Sequence, residues 1–463
     1  MASRRDQLQS YQFRSQRVVS AFVMRETDPA QSPARRGGGA LLIGGMVAVL
    51  VAAAFGVIGI LTKTGGNSWK VDGTVVVEKE SGATFVYSDG ALHPTLNYAS
   101  ALLAAGHAPP IVKSVAANSL GDTPRTAPVG IAGAPNSVPD AKHLTGLPWT
   151  ICSVQNRSGS GNGLGPTIVQ LTAGRGATGA EALPADDGIL ATDSSGALAL
   201  IWHGYRYRMD KAVLTSLFGS QSSTPVGSAL LESLPSGADI KDIQVPNAGA
   251  KSTAVPTRNN GEVLVAQTGG GPLFYLVFDD GLAAISELQK DIAVRSGGNP
   301  IQVDLGTTDK AKKSSALPKV EGAQAPPPKP PHLTTPGAAD QVCAEYGEAG
   351  TGALSIGAAV DLEGVPTRGR TASGGALADV VSVPSGKAAL VVSEPTPGFP
   401  IGGWSLVTDT GIRFPVASRD DVTFLGYNPD AASRVPAALL VRIPVGPALN
   451  RGAAATAAPL NAK

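Results

Sequence analysis

Residues 85–94 read FVYSDGALHP, two short apolar stretches separated by a polar turn that ends in glycine. Three further segments share this pattern, namely LATDSSGALALI (190–201), YLVFDDGLAAI (275–285) and SLVTDTGIRFPV (405–416). The turn glycines are Gly90, Gly196, Gly281 and Gly411. A polar turn that ends in glycine favours a β-hairpin, because glycine adopts positive φ without a steric penalty. The four segments therefore predict one hairpin that is used four times along the chain.

Stretches that are compatible with a helix follow three of these hairpins, at 97–105, 210–218 and 283–294. The predicted unit is a hairpin followed by a helix, which makes the fold class α+β. We place repeat 1 at 68–115, repeat 2 at 181–245, repeat 3 at 255–310 and repeat 4 at 386–435. The other segments are a first core part at 116–180, a Pro-rich linker with a second core part at 311–385, and a C-terminal segment and tail at 436–463. Within that tail, the residues from Arg451 onward are predicted to be unstructured.

The longest apolar stretch is ALLIGGMVAVLVAAAFGVIGIL, residues 40–61, which contains no charged side chain. As a helix rising ~1.5 Å per residue it would reach ~33 Å, enough to cross a hydrocarbon core of ~30 Å. The alternative is a secretory signal peptide, whose apolar region is only ~7–15 residues long and precedes a cleavage site of small residues. The length of the stretch and its position after residues 1–39 favour one transmembrane helix.

Positive charge is concentrated before this span. Residues 1–39 contain seven arginines and three acidic residues, and Arg35 and Arg36 flank the membrane, whereas only Lys63 and Lys70 follow closely. Cationic residues stay preferentially on the cytoplasmic side, so the N-terminus is predicted to be cytoplasmic and the part after the span extracytoplasmic. The chain is therefore expected to be a single-pass protein of the cell (inner) membrane.

The cytoplasmic segment 1–39 is predicted to contain a basic amphipathic helix at 4–26 and a linker at 28–39. Such a helix can lie on membrane lipid or dock on a cytoplasmic partner. The alternative is a plain solvated helix.

Cys152 and Cys343 are the only cysteines, and both follow the span. An oxidising compartment would pair them, which would join the two core parts. The alternative is two unrelated buried thiols.

The charge balance argues against nucleic-acid binding. Lys and Arg total 37 against 36 for Asp and Glu, and after residue 39 the balance is 30 basic to 33 acidic, without a basic stripe. The five histidines show no metal-ligand spacing, and no GxSxG nucleophile motif occurs. We therefore predict no metal, no cofactor and no nucleic-acid partner.

One motif points weakly toward nucleotide chemistry. Residues 364–371, GVPTRGRT, match the phosphate-loop pattern GxxxxGK[ST] except that arginine replaces lysine. The candidate nucleotide-binding residues are Gly364, Gly369, Arg370 and Thr371. Pro366 removes one backbone N–H from such a loop, and the predicted topology places the loop outside the membrane, where ATP is scarce. The residues thus favour a protein without catalytic activity, with ATP hydrolysis as the alternative.

Several longer stretches resemble the EccB family, a membrane component of the actinobacterial type VII (ESX) secretion system. They are DQLQSYQFRSQR (6–17), WKVDGTVVVEKESGATFVYSDGALHPTLNYASALL (69–103), VGIAGAPNSVP (129–139), LPWTICS (147–153) and VPAALLVRIPVGPAL (435–449). Because these stretches follow one another from end to end, the resemblance covers nearly the whole chain.

The resemblance implies a short cytoplasmic N-terminus, one span and an elongated extracytoplasmic region. In that region four repeats, similar in fold to a phage-lysin wall-binding module, surround a core that a Cys152–Cys343 disulfide holds together. The implied partners are EccC (the motor ATPase), EccD and EccE, with a homodimer or higher oligomer of the chain itself. The implied function is structural: assembly of the membrane complex that exports proteins across the envelope. The alternatives are ATPase activity, a label that some members carry, and peptidoglycan binding by the repeats.

Overall fold

The structure is a computed structural model of the 463-residue chain. It describes residues 3–25, 33–61, 67–155, 166–337, 340–348, 350, 352–371, 373–395 and 402–458. Contacts divide the chain into two compact units, residues 1–69 with 115–122 and residues 70–114 with 123–463. The fold is mixed α+β, as the sequence predicts.

The first unit contains two long helices and a short 3-10 turn, Ala117–Ser119. Helix Arg4–Met24 begins at a capping box, in which the Ser3 side chain accepts from the Asp6 backbone and the Asp6 side chain accepts from the Ser3 backbone. This arrangement satisfies two of the backbone N–H groups that a helix leaves unpaired at its start.

The second helix of this unit, Pro33–Leu61, contains the segment Gly37–Val57, which is long and apolar enough to cross a membrane. The helix begins before the predicted span, so residues 33–39 are helical and not linker. Proline is favoured in the first turn of a helix because its missing N–H has no intrahelical acceptor there. Arg35 and Arg36 lie in that first turn.

Four sheets of the second unit consist of three consecutive strands, a helix and a fourth strand. In the first sheet these elements are Thr74–Glu78, Thr84–Ser88, Ala91–Pro94, helix Tyr98–Ala105 and Ile111–Val115; in the second sheet, Asp187–Thr192, Leu198–Trp202, Tyr205–Arg208, helix Lys211–Phe218 and Thr224–Pro225. In the third sheet they are Val263–Thr268, Gly271–Phe278, Gly281–Ile285, helix Glu287–Gly297 and Ile301–Val303; in the fourth sheet, Ala388–Glu394, Trp404–Thr408, Arg413–Val416, helix Arg419–Phe424 and Ser433–Pro436.

The four sheets have the same strand order, third–second–first–fourth. The three consecutive strands pair antiparallel. The fourth strand lies beside the first, and this pairing is parallel in the second, third and fourth sheets. Parallel neighbours need a crossover connection, and in these three sheets the helix forms part of it. The sequence patterns did not predict these fourth strands.

Helix starts follow local capping. Asn97 accepts a hydrogen bond from the Ser100 backbone at 2.9 Å, and Ser418 accepts one from the Asp421 backbone at 3.1 Å. Ser286 forms a capping box with Gln289, so the third-sheet helix begins at Glu287. Residues 283–285, which we predicted as helix, therefore belong to the preceding strand, since the cap fixes the boundary after them.

A seven-stranded central sheet joins the two core parts of the chain. Its strands are Trp149–Gln155, Thr167–Thr172, Glu181–Ala182, Val342–Tyr346, Gly352–Ile356, Val365–Pro366 and Val380–Ser382. The central strands are buried, with Trp149, Tyr346 and Val381 each 0% exposed. Further short helical segments are Ala141–His143, Ser228–Ser233, Leu305–Lys310, Pro429–Ala431 and Ala437–Leu440.

The first and fourth sheets share one hydrophobic core, although they lie at opposite ends of the second unit's sequence. Val75 and Leu103 from the first sheet region pack in the same cluster as Leu406 and Phe414 from the fourth. Buried apolar contact between distant segments is the main favourable contribution to such an arrangement.

The C-terminal residues from Arg451 were predicted to be unstructured, and this prediction is wrong for residues 451–458. Asn450 accepts a hydrogen bond from the Ala453 backbone at 2.7 Å and starts helix Arg451–Ala454. The helix packs against Tyr98–Ala105, and the Arg451 guanidinium lies 5.5 Å from the centre of the Phe424 ring. Tertiary contacts stabilise a helix of this length, which would be marginal in isolation.

Candidate functional site

The two cysteines lie directly opposite each other on neighbouring antiparallel strands of the central sheet. They form a disulfide, with their Cα atoms 4.0 Å apart. Cys343 is completely buried, Cys152 is 5% exposed, and both pack with Ala358. The sequence left two alternatives, a disulfide or two unrelated buried thiols, and the structure contains the disulfide. It joins the two core parts across a sequence separation of 191 residues.

Buried and part-buried polar contacts also connect the central sheet to distant segments. The Tyr346 hydroxyl donates to the Ser233 carbonyl at 3.0 Å, and burial raises the pKa of Tyr346. Glu345 accepts a hydrogen bond from the Ala177 backbone at 2.8 Å. Because an unpaired buried polar group is costly, these pairings favour one arrangement of the segments over alternatives.

The Pro-rich linker is docked against the second and third sheets. The Tyr207 hydroxyl donates to the Ala325 carbonyl at 2.9 Å, and burial raises the pKa of Tyr207 to about 12. The Leu288 backbone N–H, in the third-sheet helix, donates to the Pro328 carbonyl at 3.1 Å. The linker then contributes strand His332–Leu333, which pairs with the second sheet. The segment is thus a structural part of the unit, which its proline content alone did not indicate.

Asp187 anchors the end of this linker. Its Oδ2 atom accepts a hydrogen bond from the Thr334 hydroxyl at 2.6 Å and lies 3.1 Å from Nδ1 of His332. The hydrogen bond from Thr334, followed by that from His332, lowers the pKa of the Asp187 carboxyl. These contacts favour the ionised carboxylate in the folded state.

We expect acid to weaken the linker through Asp187. Because its pKa is lower in the folded than in the unfolded chain, the stabilisation is present above the unfolded value of ~3.9. This stabilisation is lost as the pH falls through the pKa that Asp187 has in the folded state. In urea unfolding followed between pH 7 and pH 3, Asp187→Asn should lower the denaturant midpoint at neutral pH and reduce the acid-dependent loss. Asp186→Asn is the matched control, and an equal effect of both substitutions would contradict this role of Asp187.

The phosphate-loop candidate lies in a β-hairpin. Val365–Pro366 pairs antiparallel with Val380–Ser382, and Arg370 bridges to Ala376 before the chain returns. A phosphate loop instead leads from a strand into the N-terminus of a helix. Within residues 364–371 and 373–382, which the structure describes, the chain forms no helix.

The backbone amides that would surround a phosphate are used inside this hairpin. The Gly369 amide donates to the Thr367 hydroxyl at 2.9 Å, and the Thr371 amide donates to the Gly375 carbonyl at 2.9 Å. Thr371 also uses its hydroxyl, which accepts from the Gly375 amide at 2.9 Å. Gly364 adopts φ +150°, and a Cβ there would lie 2.7 Å from the Val381 carbonyl oxygen. This geometry gives the nucleotide-binding candidate no support.

The same hairpin borders a cleft of about 600 Å³. Arg368 and Arg370 line it from one side, and residues 225–229, which follow the second-sheet helix, line it from another. Buried Val169 of the central sheet also lines the cleft. The sequence pointed to Gly369 and Arg370 through a motif, but it did not show that they border a cleft.

Gly90, Gly281 and Gly411 lie where the second strand of their sheet turns into the third, whereas Gly196 lies between the first and second strands of its sheet. The expectation of one hairpin used four times is therefore wrong for residues 190–201. All four glycines have positive φ: +76° at Gly90, +84° at Gly196, +149° at Gly281 and +71° at Gly411. Their surroundings differ. A Cβ would meet nothing within 4 Å at Gly90 or Gly196, whereas at Gly281 it would lie 2.3 Å from the Lys312 carbonyl oxygen.

The sequence matches the family described as Type VII secretion system ESX-1, transport TM domain B, over residues 1–460. Among curated relatives, the ESX-2 secretion system ATPase EccB2 of Mycobacterium tuberculosis is 30% identical, and the match covers 98% of this chain and 94% of the relative. The ESX-3 secretion system ATPase EccB3 of Mycolicibacterium smegmatis is 27% identical, with 98% and 90% covered.

Solved structures share the fold. A chain of the intact ESX-5 inner membrane complex matches with a TM-score of 0.59 at 24% identity, covering 100% of this chain and 97% of that one. The EccB3 dimer from the ESX-3 core complex matches with a TM-score of 0.59 at 24% identity, covering 83% and 100%. A chain of the periplasmic assembly from the ESX-5 inner membrane complex matches with a TM-score of 0.56 at 25% identity, covering 84% of this chain and 96% of that one.

The family match agrees with the motif resemblance and with a fold that combines an apolar helix, the sheets and the disulfide. The chain therefore belongs to the EccB family of membrane proteins of type VII (ESX) secretion systems.

Proposed function

We propose that the chain is a structural and assembly component of a type VII secretion membrane complex, in which it supports protein export across the cell envelope. The observation that carries the proposal is the fold shared with a chain of the ESX-5 periplasmic assembly, over 84% of this chain. The physical organisation is consistent with such a role. The folded unit is held together by shared cores, a disulfide and a docked linker, which suits a rigid framework.

The proposed partners are EccC, EccD and EccE, with a second copy of this chain. Support for self-association comes from the solved EccB3 dimer, whose fold this chain shares. The N-terminal segment would lie in the cytoplasm, because the arginines of residues 1–39 precede the apolar helix. Residues after the span would then form the extracytoplasmic region, in which we interpret the four sheets of one strand order as four repeats of one module.

The relatives EccB2 and EccB3 are named ATPases. We do not extend this activity to the chain, because the amides of the phosphate-loop candidate are used within its own hairpin.

Extraction of native membranes with mild detergent, followed by capture through a C-terminal tag, tests the complex. We expect recovery of the motor ATPase and polytopic membrane proteins together with the full chain. Deleting residues 3–25 should reduce recovery of the cytoplasmic ATPase while the chain itself still inserts. Recovery of this chain alone, as a monomer or dimer, would refute the proposed assembly role.

Cysteine labelling tests the orientation, since both native cysteines are bonded and do not react. Ser10→Cys and Glu363→Cys place single exposed thiols before and after the span. A membrane-impermeant maleimide applied to intact spheroplasts should label only Glu363→Cys, and both after lysis. The reverse pattern would contradict the proposed topology.

A further inference from the structure

The cleft beside the Val365–Ser382 hairpin has the size and lining of a ligand site. Its volume of about 600 Å³ falls within the range of ~300–1,000 Å³ that is typical of ligand sites. Accessible apolar surface comes from the exposed Pro166 and Pro225, and the buried Val169 and Val226 also line the cleft. The polar part contains two arginines and two aspartates, so the groups that remain available decide which ligand fits.

The two arginines present open hydrogen-bond donors. Among the described residues the exposed Arg368 side chain makes no hydrogen bond or ion pair, and the exposed Arg370 uses one Nη1 donor for the Gly374 carbonyl at 3.1 Å. A guanidinium carries five N–H donors in a planar fork. Most of these donors are therefore free to bind a ligand in the cleft.

The two aspartates are already engaged by the protein. Asp193 Oδ1 accepts from the Ser195 backbone at 2.8 Å, the Ser195 hydroxyl at 2.7 Å and the Ala197 backbone at 3.0 Å. Asp379 Oδ2 accepts from the Val169 backbone at 2.8 Å. Asp193 Oδ1 thus serves the turn and Asp379 Oδ2 the sheet, while most of the arginine donors remain unused.

We propose that this cleft binds a short peptide segment that carries carboxylates next to an aliphatic side chain. Arginine forks pair with carboxylates through two parallel hydrogen bonds, and the exposed proline surface of the cleft packs against the aliphatic group. A phosphate compound fits less well. The backbone amides of Gly369 and Gly375 donate within the hairpin, so they do not add to the arginine donors as the amides of a phosphate-binding loop do.

Fluorescence anisotropy with the full chain in detergent tests the proposal. The probe is the labelled peptide acetyl-GELEG-amide, and its neutral counterpart is acetyl-GQLQG-amide. We expect the carboxylate peptide to bind and the neutral peptide to bind at least 10-fold more weakly, as is usual for loss of charge-assisted hydrogen bonds. Acetyl-GQLQG with a free C-terminus distinguishes a terminal carboxylate from side-chain carboxylates as the recognised group.

Arg368→Gln and Arg370→Gln should each weaken binding about 10-fold, because each removes a charged donor. Arg175→Gln, an exposed arginine outside the cleft, is the matched control and should bind as the unmodified chain does. Urea midpoints of the variants establish that they fold. Equal binding of the carboxylate and neutral peptides, or binding unchanged in both cleft variants, would overturn the proposal. Displacement of the peptide by an equal concentration of inorganic phosphate or ATP would overturn it in favour of a phosphate ligand.

Discussion

Replacing both cysteines, Cys152→Ala with Cys343→Ala, is expected to destabilise the folded unit by about 2–5 kcal/mol. The disulfide closes a loop of 191 residues, so its loss restores conformational freedom chiefly to the unfolded chain. The folded strands should keep their register, because backbone pairing already places the two positions opposite each other. The expected result is therefore a lower urea midpoint with little change in the native fold.

Reductant provides the internal control for this experiment. The unmodified chain in reductant should approach the midpoint of the double variant, whereas the double variant should not respond to reductant. On non-reducing gels the unmodified chain should migrate differently from its reduced form, and the double variant should show one mobility. Identical midpoints of the unmodified chain with and without reductant would rule out a stabilising disulfide.

Alanine substitution of the turn glycines should give unequal losses of stability. At Gly281, alanine must adopt positive φ, which costs ~1–2 kcal/mol. Its Cβ would also lie 2.3 Å from the Lys312 carbonyl oxygen, which accepts the Leu282 backbone hydrogen bond at 2.8 Å. Relieving this overlap costs a further ~1–3 kcal/mol and displaces the segment that follows helix Leu305–Lys310. We expect Gly281→Ala to lose about 2–5 kcal/mol in total.

Gly90→Ala and Gly196→Ala are the matched controls, since each is a turn glycine with positive φ but has open space around the added Cβ. They should lose only the ~1–2 kcal/mol of the backbone conformation. Gly411→Ala should be intermediate, because its Cβ would lie 3.1 Å from the Val365 Cβ, a closer approach than at Gly90 but a milder one than the 2.3 Å at Gly281. Urea unfolding of the four variants measures the order of their losses of stability. Losses of similar size at Gly281 and Gly90 would show that the Lys312 contact is unimportant.

Hairpins and helix starts were predictable from the sequence because their causes act over a few residues. A glycine that tolerates positive φ sets each turn, as at Gly90, and a side-chain cap sets a helix start, as at Asn97. The apolar helix follows from an uninterrupted run of residues, and the possible cysteine pair follows from there being only two. The helix boundary at Ser286 was misjudged because residues 283–285, Ala-Ala-Ile, are compatible with either a strand or a helix.

The cleft could be predicted only in part. The motif at 364–371 drew attention to Arg370, but its chemistry depends on which amides the hairpin uses. The apolar side of the cleft includes residues 225 and 226, which are distant in sequence from that motif. No local pattern connects these segments, since the contact between them exists only after the second sheet packs beside the central sheet.

The sequence by itself determined the apolar membrane helix, the four glycine turns and the α+β class, because each depends on the order of nearby residues. Only the tertiary structure decided the parallel fourth strands, such as Thr224–Pro225, which is two residues long and lacks an apolar pattern. It also decided that Val75 and Phe414 share a core and that the Pro-rich linker is docked. Every residue offers a backbone carbonyl, and every residue except proline a backbone N–H, so strand pairing does not depend on side-chain type. Apolar surfaces likewise pack without a local pattern that specifies their partner. The choice of partner is therefore made by the folded chain as a whole.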